Sequence, residues 1–176
     1  SVLVGGAIGM RLWDPKYRGH RVRYLLQVTL TAMTMFIILI LLDAITHAAL
    51  VASLGASSFI AFAMPHREAS NARYLVGGYA VGITAGGGIA LLRILPALSD
   101  LVTSPPLATA LWGALAMGIA LFVMVVTDTE HPPAAGVALG LAIGEFDPRA
   151  LAVISLGIIF LAIARRLMKP HLIDLV

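Results

Sequence analysis

Charge is what this 176-residue sequence has least of: 12% of its residues are charged, whereas 60% are hydrophobic. A chain with a mean hydropathy of +0.96 has too little polar surface to form a water-soluble globule. The sequence also has no cysteine, which excludes a disulfide framework and thiolate metal sites. It therefore indicates an integral membrane protein that contacts the lipid bilayer along most of its length.

Catalytic and metal-binding motifs are also lacking. The sequence shows no HExxH pattern, no pairing of a nucleophile with a base and no dense cluster of metal ligands. We therefore expect no enzyme activity, no cofactor, no metal and no nucleic-acid partner.

Apolar segments account for most of the chain and predict an all-α polytopic protein. About six segments are expected, at 24–42, 44–64, 74–94, 107–127, 132–144 and 150–168. A basic amphipathic segment (1–23) precedes this transmembrane domain (24–168), and a short cytoplasmic tail (169–176) follows it. The fifth segment would rise only about 20 Å as a helix, against about 30 Å for a hydrocarbon core. It either starts part-way into the bilayer after an extended stretch or dips in without spanning.

The second segment carries polar residues in its middle. His47 lies near its start, and Ser53, Ser57 and Ser58 surround Gly55. We interpret this pattern as a break in the helix near Gly55.

Lysine and arginine predict the orientation. If six segments cross with both termini inside, 10 of the 12 basic residues lie inside and only Arg93 and Arg149 outside. The positive-inside rule then places both termini in the cytoplasm, and we expect a bacterial inner membrane. Four spans with two re-entrant segments form the alternative topology, which explains the charges less well.

An internal repeat relates the two interrupted segments. Asp43 follows a long span, with Gly55 twelve residues later; Asp128 follows another long span, with Gly140 twelve residues later. The halves, about 24–94 and 107–168, would each contain three segments, so the second half would be inverted relative to the first. This plan is typical of secondary transporters, which bind substrate near the midplane at interrupted segments.

Helix N-termini near the midplane are the candidate site. A helix that begins at Pro132 is expected to leave the amides of Ala134, Ala135 and Gly136 unpaired, and a restart after Gly55 would do the same at 56–58. Free amides and the helix dipole attract anions. The predicted anion-binding residues are Ser53, Gly55, Ala56, Ser57, Ser58, His131, Pro132, Pro133, Ala134 and Gly136.

Ionisable residues at membrane depth are candidates for proton coupling. Histidine changes its charge near neutral pH, so His131 is the first candidate. Asp128 and His47 are the other two.

Two motifs resemble those of the HPP family of integral membrane proteins. His131-Pro132-Pro133-Ala134 is similar to the family's signature, and Ser53 to Ser58 followed by Met64-Pro65-His66 is similar to its first motif. The resemblance extends over nearly all of 23–166. It implies a small membrane protein of bacteria and plastids, in a family whose plastid and cyanobacterial members are assigned to nitrite transport.

Taken together, these features predict a transporter of a small inorganic anion, with nitrite as the favoured substrate. An anion channel of the same fold is one alternative. A membrane sensor or assembly subunit that transports nothing is the other. A homo-oligomer is compatible with all three.

Overall fold

The computed structural model describes residues 15–41, 47–95, 98, 104–145 and 147–176, with side chains of the first helix from 19 to 40. The principal helices are α1 (Pro15–Leu41), α2 (Ala48–Ala63), α3 (Ala72–Leu92), α4 (Pro105–Thr127), α5 (Pro132–Ile143) and α6 (Pro148–Met168). Short 3-10 helices occupy Glu68–Ser70 and Lys169–His171. The described residues form no strand, and the predicted all-α fold is confirmed. Residues 1–14 of the predicted basic segment, and Asp43, lie outside the described residues.

Four helical stretches are long and apolar enough to cross a membrane by themselves: Gly19–Ile40, Ala72–Leu92, Pro105–Thr127 and Pro148–His171. The other two helices are shorter, with 16 residues in α2 and 12 in α5. They rise about 24 Å and about 18 Å respectively. Large apolar side chains on α1 and α4 are exposed, as expected of a surface that faces lipid. The predicted polytopic membrane protein is confirmed.

The helix α2 runs alongside α6 from one end of the bundle to the other. His47, which precedes α2, bonds Asp147 at the start of α6 through Nε2 and Oδ2, 3.0 Å apart. Pro65, which follows α2, accepts a 3.0 Å hydrogen bond from Nε of Arg165 near the end of α6. Since α6 is long enough to span, these contacts favour six passes of the chain over the alternative with re-entrant segments.

The predicted break near Gly55 is wrong. One continuous helix covers Ala48–Ala63. Ser53 and Ser58 donate their hydroxyl hydrogens to the carbonyls of Ala49 and Leu54, one turn back, at 2.7 and 2.8 Å. Hydroxyl groups bonded in this way stay in a helix without interrupting it. The amides of residues 56–58 therefore belong to the interior of α2, where they do not form a helix N-terminus.

The helix α5 lies parallel to α3, and it begins level with a point part-way along α3. A Cβ atom on Gly78 would meet the Cβ of His131 at 2.5 Å, and one on Gly86 would meet the Ala138 carbonyl oxygen at 2.5 Å. His131 is therefore level with Gly78, about 9 Å into α3 at 1.5 Å per residue. Of the two arrangements expected for the short fifth segment, the structure has the helix that starts at depth after an extended stretch.

The two halves of the bundle, α1–α3 and α4–α6, pack as inverted equivalents. Exchanging α1 with α4, α2 with α5 and α3 with α6 turns each principal pair of touching helices into a touching pair, although the extent of packing differs. The paired helices run in opposite directions along the bundle, and α2 and α5 lie antiparallel at its centre. This arrangement agrees with the inverted repeat that the sequence predicts.

Two arginines join the halves reciprocally. Arg93, at the end of α3, donates to the carbonyls of Ile143 and Gly144 at the end of α5, at 3.2 and 2.8 Å. Arg165 of α6 donates through Nε and Nη2 to the Pro65 carbonyl beyond α2. In each case a guanidinium group of one half bonds backbone carbonyl oxygen at the end of the short helix of the other half, or just beyond it.

Both ends of the described chain lie at one end of the bundle, which we call the termini end. Gln27 Nε2 donates to the Ile173 carbonyl at 2.8 Å, and the amide of Leu175 donates to the Ala63 carbonyl at 2.8 Å. At this end α1, α3 and α5 begin and α2, α4 and α6 end. The opposite end is called the far end below.

The outer helices break the symmetry. α4 packs along α3, whereas its counterpart α1 touches α6 only lightly. An apolar cleft of about 370 Å³ separates α1 from α6, with Ile37 on one wall and Phe160 on the other. The two halves are therefore equivalent in topology, but α4 packs more closely on α3 than α1 packs on α6.

Candidate functional site

The chain enters the core between α4 and α5 through a short extended stretch. Asp128 ends α4 in the left-handed conformation, with φ 53° and ψ 53°, which aspartate tolerates better than most residues. Its carboxylate pairs with Arg73 at 3.0 Å and accepts a hydrogen bond from the Tyr74 hydroxyl at 3.2 Å. This anchor holds the stretch at the surface, so that Thr129 and His131 turn inwards along α3.

His131 lies at the bottom of this stretch, just before α5. It is 0% exposed, as are Ser57 of α2 and Tyr79 of α3. Ser57 Oγ lies 2.8 Å from His131 Nε2 and 2.9 Å from Tyr79 Oη. The aromatic rings of Tyr79 and His131 lie 5.8 Å apart between centroids. A buried hydrogen-bonded trio therefore joins α2 and α3 to the start of α5, and so joins the two halves.

One ring nitrogen of this trio has no hydrogen-bond partner. His131 Nδ1 is fully buried, and no described group bonds it. The backbone carbonyl of Ala69 faces the ring without meeting hydrogen-bond geometry. Since buried polar groups are nearly always bonded, this nitrogen is open to a water molecule or to a ligand atom.

A cleft of about 340 Å³ between α4 and α5 reaches this histidine. Its walls are mostly apolar, with Met117, Leu121 and Met124 on the α4 side. Glu130 and His131 supply the polar atoms at the cleft's α5 side. The cleft thus borders the residue that carries the unpartnered nitrogen.

The family model for the transmembrane region of HPP proteins matches residues 17–169. The chain belongs to the HPP family. No curated protein and no solved structure matched the chain. The resemblance seen in the two sequence motifs is therefore confirmed at the level of the family.

In this HPP protein the amides expected to bind an anion are already used. Pro132 and Pro133 have no N–H, and the N–H of Ala134 donates to the His131 carbonyl at 2.8 Å. The helical bonding pattern that begins at Pro132 takes up the amides of Ala135 and Gly136. The prediction that these amides are free is wrong, because the double proline removes the very N–H groups that a helix N-terminus usually leaves unpaired.

The other predicted binding residues lie apart from one another, some in contacts between helices and others at the surface or bonded within their own helix. Gly136 faces Ser53 across the contact between α2 and α5, and Ala134 packs against Gly82. Gly55 instead faces Met35 of α1, and Ala56 and Pro132 are exposed. Pro133 is half-buried, and Ser58 bonds within its own helix. Of the predicted residues, Ser57 and His131 are the two brought into one hydrogen-bonded group.

Tyr79 completes that group, and sequence reasoning missed it. A tyrosine five residues inside a predicted span needs a polar partner if its hydroxyl is buried among the helices. This signal was present in the sequence beside Gly78, but the partner on α2 depends on how the helices pack.

The three candidates for proton coupling lie at different levels of the HPP bundle. His131 is in the core, whereas Asp128 is exposed at the termini end and pairs with Arg73. His47 bonds Asp147 at the far end. The Arg149 amide and, to a smaller extent, His47 lower the pKa of the Asp147 carboxyl. The three therefore do not form one continuous path among the described residues.

Proposed function

We propose that this HPP protein transports a small inorganic anion, with nitrite as the favoured substrate, and that the anion binds beside His131. The observation that carries the proposal is the fully buried, unpartnered Nδ1 of His131 between the two halves. Such a polar atom costs free energy in the empty protein, and a bound ligand atom would offset that cost.

The surroundings of His131 suit an anion better than a cation. The trio offers hydroxyl and imidazole groups, and the N-terminal end of the α5 dipole, which carries partial positive charge, faces it. The described carboxylates lie outside the helix interiors: Glu68, Asp128, Glu130, Glu145, Asp147 and Asp174. A cation held by the trio would therefore have no described carboxylate among the residues bonded to it.

The inverted architecture supports transport. Binding sites of secondary transporters lie between inverted repeats, and alternating access arises when one repeat moves against the other. Here the trio joins the halves, while the loose contact of α1 with α6 contrasts with the packing of α4 on α3. If α1 packed closely on α6 while α4 loosened from α3, one face of the bundle would close and the other would open. Such a rearrangement of the outer helices is expected of a transporter and not of a fixed channel.

We also propose that both termini are cytoplasmic in a bacterial inner membrane. The two ends of the described chain share one end of the bundle, and so do most described basic residues. Those at the termini end are Arg21, Arg23, Arg67, Arg73, Arg165, Arg166 and Lys169, whereas Arg93 and Arg149 lie at the far end. The positive-inside rule makes the termini end cytoplasmic.

Uptake into proteoliposomes tests the proposed function. We expect saturable nitrite uptake by the reconstituted protein, with empty liposomes as the control. Counterflow, in which internal unlabelled nitrite accelerates the entrance of labelled nitrite, is expected of a transporter and not of a channel. Absence of uptake for nitrite, nitrate and formate alike would contradict anion transport and favour the sensor or assembly role.

A further inference from the structure

We infer that Tyr79 and Ser57 fix the tautomer of His131, so that Nδ1 carries the hydrogen and stands ready as a donor to an anionic oxygen. The identity of the ligand rests on the proposed function, whereas the tautomer rests on the hydrogen-bond geometry alone. The inference makes Tyr79 and Ser57 positioning residues that act on the ligand through His131.

The argument begins at Tyr79, where the bonding choices are fewest. Its hydroxyl is buried, and Ser57 Oγ is the one hydrogen-bond partner that the described residues give it. A phenol has a single hydrogen to donate. If Tyr79 accepted from Ser57, its own hydrogen would be buried without an acceptor among the described residues. Tyr79 therefore donates to Ser57.

The direction of the next bond follows. Ser57 Oγ bonds two side chains, whereas Ser53 and Ser58 on the same helix each donate to a carbonyl one turn back. Since Ser57 receives the hydrogen of Tyr79, its own single hydrogen goes to His131 Nε2. This nitrogen must then be the unprotonated one.

The neutral ring of His131 consequently carries its hydrogen on Nδ1. That nitrogen is the buried atom without a partner. The Ala69 carbonyl lies near the ring, and a carbonyl group is compatible with an N–H on the nitrogen that Ser57 does not bond. A ligand at Nδ1 must supply an acceptor, as the oxygen of a small oxyanion does. A metal ion or an ammonium group would meet an N–H instead of a lone pair.

The opposite direction of donation, from His131 through Ser57 to Tyr79, is less favourable. A hydrogen on Nε2 would require Ser57 to accept from His131 and to donate to Tyr79. Either arrangement leaves one buried hydrogen outside the bonds of the trio. On Nδ1 this hydrogen has the Ala69 carbonyl near it, whereas on Tyr79 it would have no described acceptor. The trio thus keeps the donor at Nδ1 through local hydrogen bonding, before any ligand arrives.

Nitrogen-15 NMR of the full chain in lipid nanodiscs tests this inference. The nitrogen shifts of a protonated and an unprotonated ring nitrogen differ, and His131→Gln identifies the His131 signals by their loss. We expect Nδ1 of the wild-type protein to be protonated and Nε2 to be unprotonated. Tyr79→Phe frees Ser57 from the hydrogen it accepts, so a second population with a hydrogen on Nε2 should become visible. Tyr24→Phe in α1, whose hydroxyl bonds the Leu175 carbonyl and not the trio, is the matched control and should leave the tautomer unchanged.

The outcomes separate the inference from the proposed function. A hydrogen on Nε2 in the wild-type protein would overturn the inference, whatever the protein transports. If Tyr79→Phe does not fold, the wild-type tautomer and Ser57→Ala still decide the question, because Ser57→Ala also removes the bond to Nε2. Added sodium nitrite should shift the Nδ1 signal. A protonated Nδ1 that nitrite leaves unmoved, in a protein without nitrite uptake, would support the tautomer and contradict the nitrite proposal.

Discussion

Gly86 of α3 lies so close to Ala138 of α5 that a Cβ atom at position 86 would sit 2.5 Å from the Ala138 carbonyl oxygen. Gly82 makes the same kind of approach to the carbonyl of Ala134. Backbone contact of this kind needs small residues at every fourth position. These glycines therefore hold α5 against α3 and fix the depth of His131.

Gly86→Ala should destabilise the protein, since neither backbone can yield easily at this contact. Overpacking of this kind typically costs about 1–3 kcal/mol. The matched control is Gly87→Ala, because a Cβ atom at Gly87 meets nothing within 4 Å. Thermal unfolding in detergent should show a lower midpoint for Gly86→Ala alone. Equal midpoints for the two variants would show that α3 and α5 do not pack in this register.

A double variant tests the antiparallel contact of α2 with α5. A Cβ atom on Gly136 would lie 2.5 Å from Ser53 Oγ and 3.8 Å from Ser53 Cβ. Gly136→Ala should therefore destabilise the protein by about 1–3 kcal/mol, and Ser53→Ala added to it should restore most of the loss. Additive losses measured by thermal unfolding would show that these two residues are not in contact.

The reciprocal arginines should stabilise the protein through their carbonyl contacts. Arg165→Leu removes two hydrogen bonds to the Pro65 carbonyl. Hydrogen bonds to charged groups contribute about 1.5–3 kcal/mol, so a loss of that order is expected. The neighbouring Arg166 is exposed, and Arg166→Leu is the control. If both variants unfold at the wild-type temperature, Arg165 does not join the halves in solution.

The absence of cysteine allows the six-pass topology to be tested with single reporter thiols. Glu68 at the termini end and Glu145 at the far end are both exposed. In intact cells, a maleimide that cannot cross membranes should label Glu145→Cys but not Glu68→Cys. Permeabilised cells should show labelling of both. Labelling of both in intact cells, or of Glu68→Cys alone, would contradict cytoplasmic termini with six passes.

Much of the fold follows from features that act locally along the chain. Apolar length marks the long helices, and Pro132 sets the start of α5, since proline fits a first helical turn and not the middle of a helix. The similar spacing after Asp43 and Asp128 reveals the repeat. These signals depend on neighbouring residues, so one sequence is enough to detect them.

The site depends on contacts that local signals do not contain. The serines around Gly55 suit a broken helix or a continuous one, and the structure has hydroxyls bonded one turn back. The free amides expected after Pro133 are absent from the described α5, because Ala134 bonds the His131 carbonyl. Tyr79 joins Ser57 only when α2 and α3 pack on α5. The candidate site is therefore the trio of Ser57, Tyr79 and His131 side chains, and not the backbone amides.

Stabilisation by nitrite tests most directly whether His131 is the anion site. At a nitrite concentration 100 times the Kd, binding would add about 2.7 kcal/mol to the stability of the purified protein. We expect nitrite to raise the unfolding temperature of the wild-type protein and of His171→Leu, whose histidine is exposed. His131→Gln, which keeps a donor, should retain part of this rise, and His131→Leu should lose it. A rise in His131→Leu equal to that of the wild-type protein, or no rise in the wild-type protein, would contradict anion binding at His131.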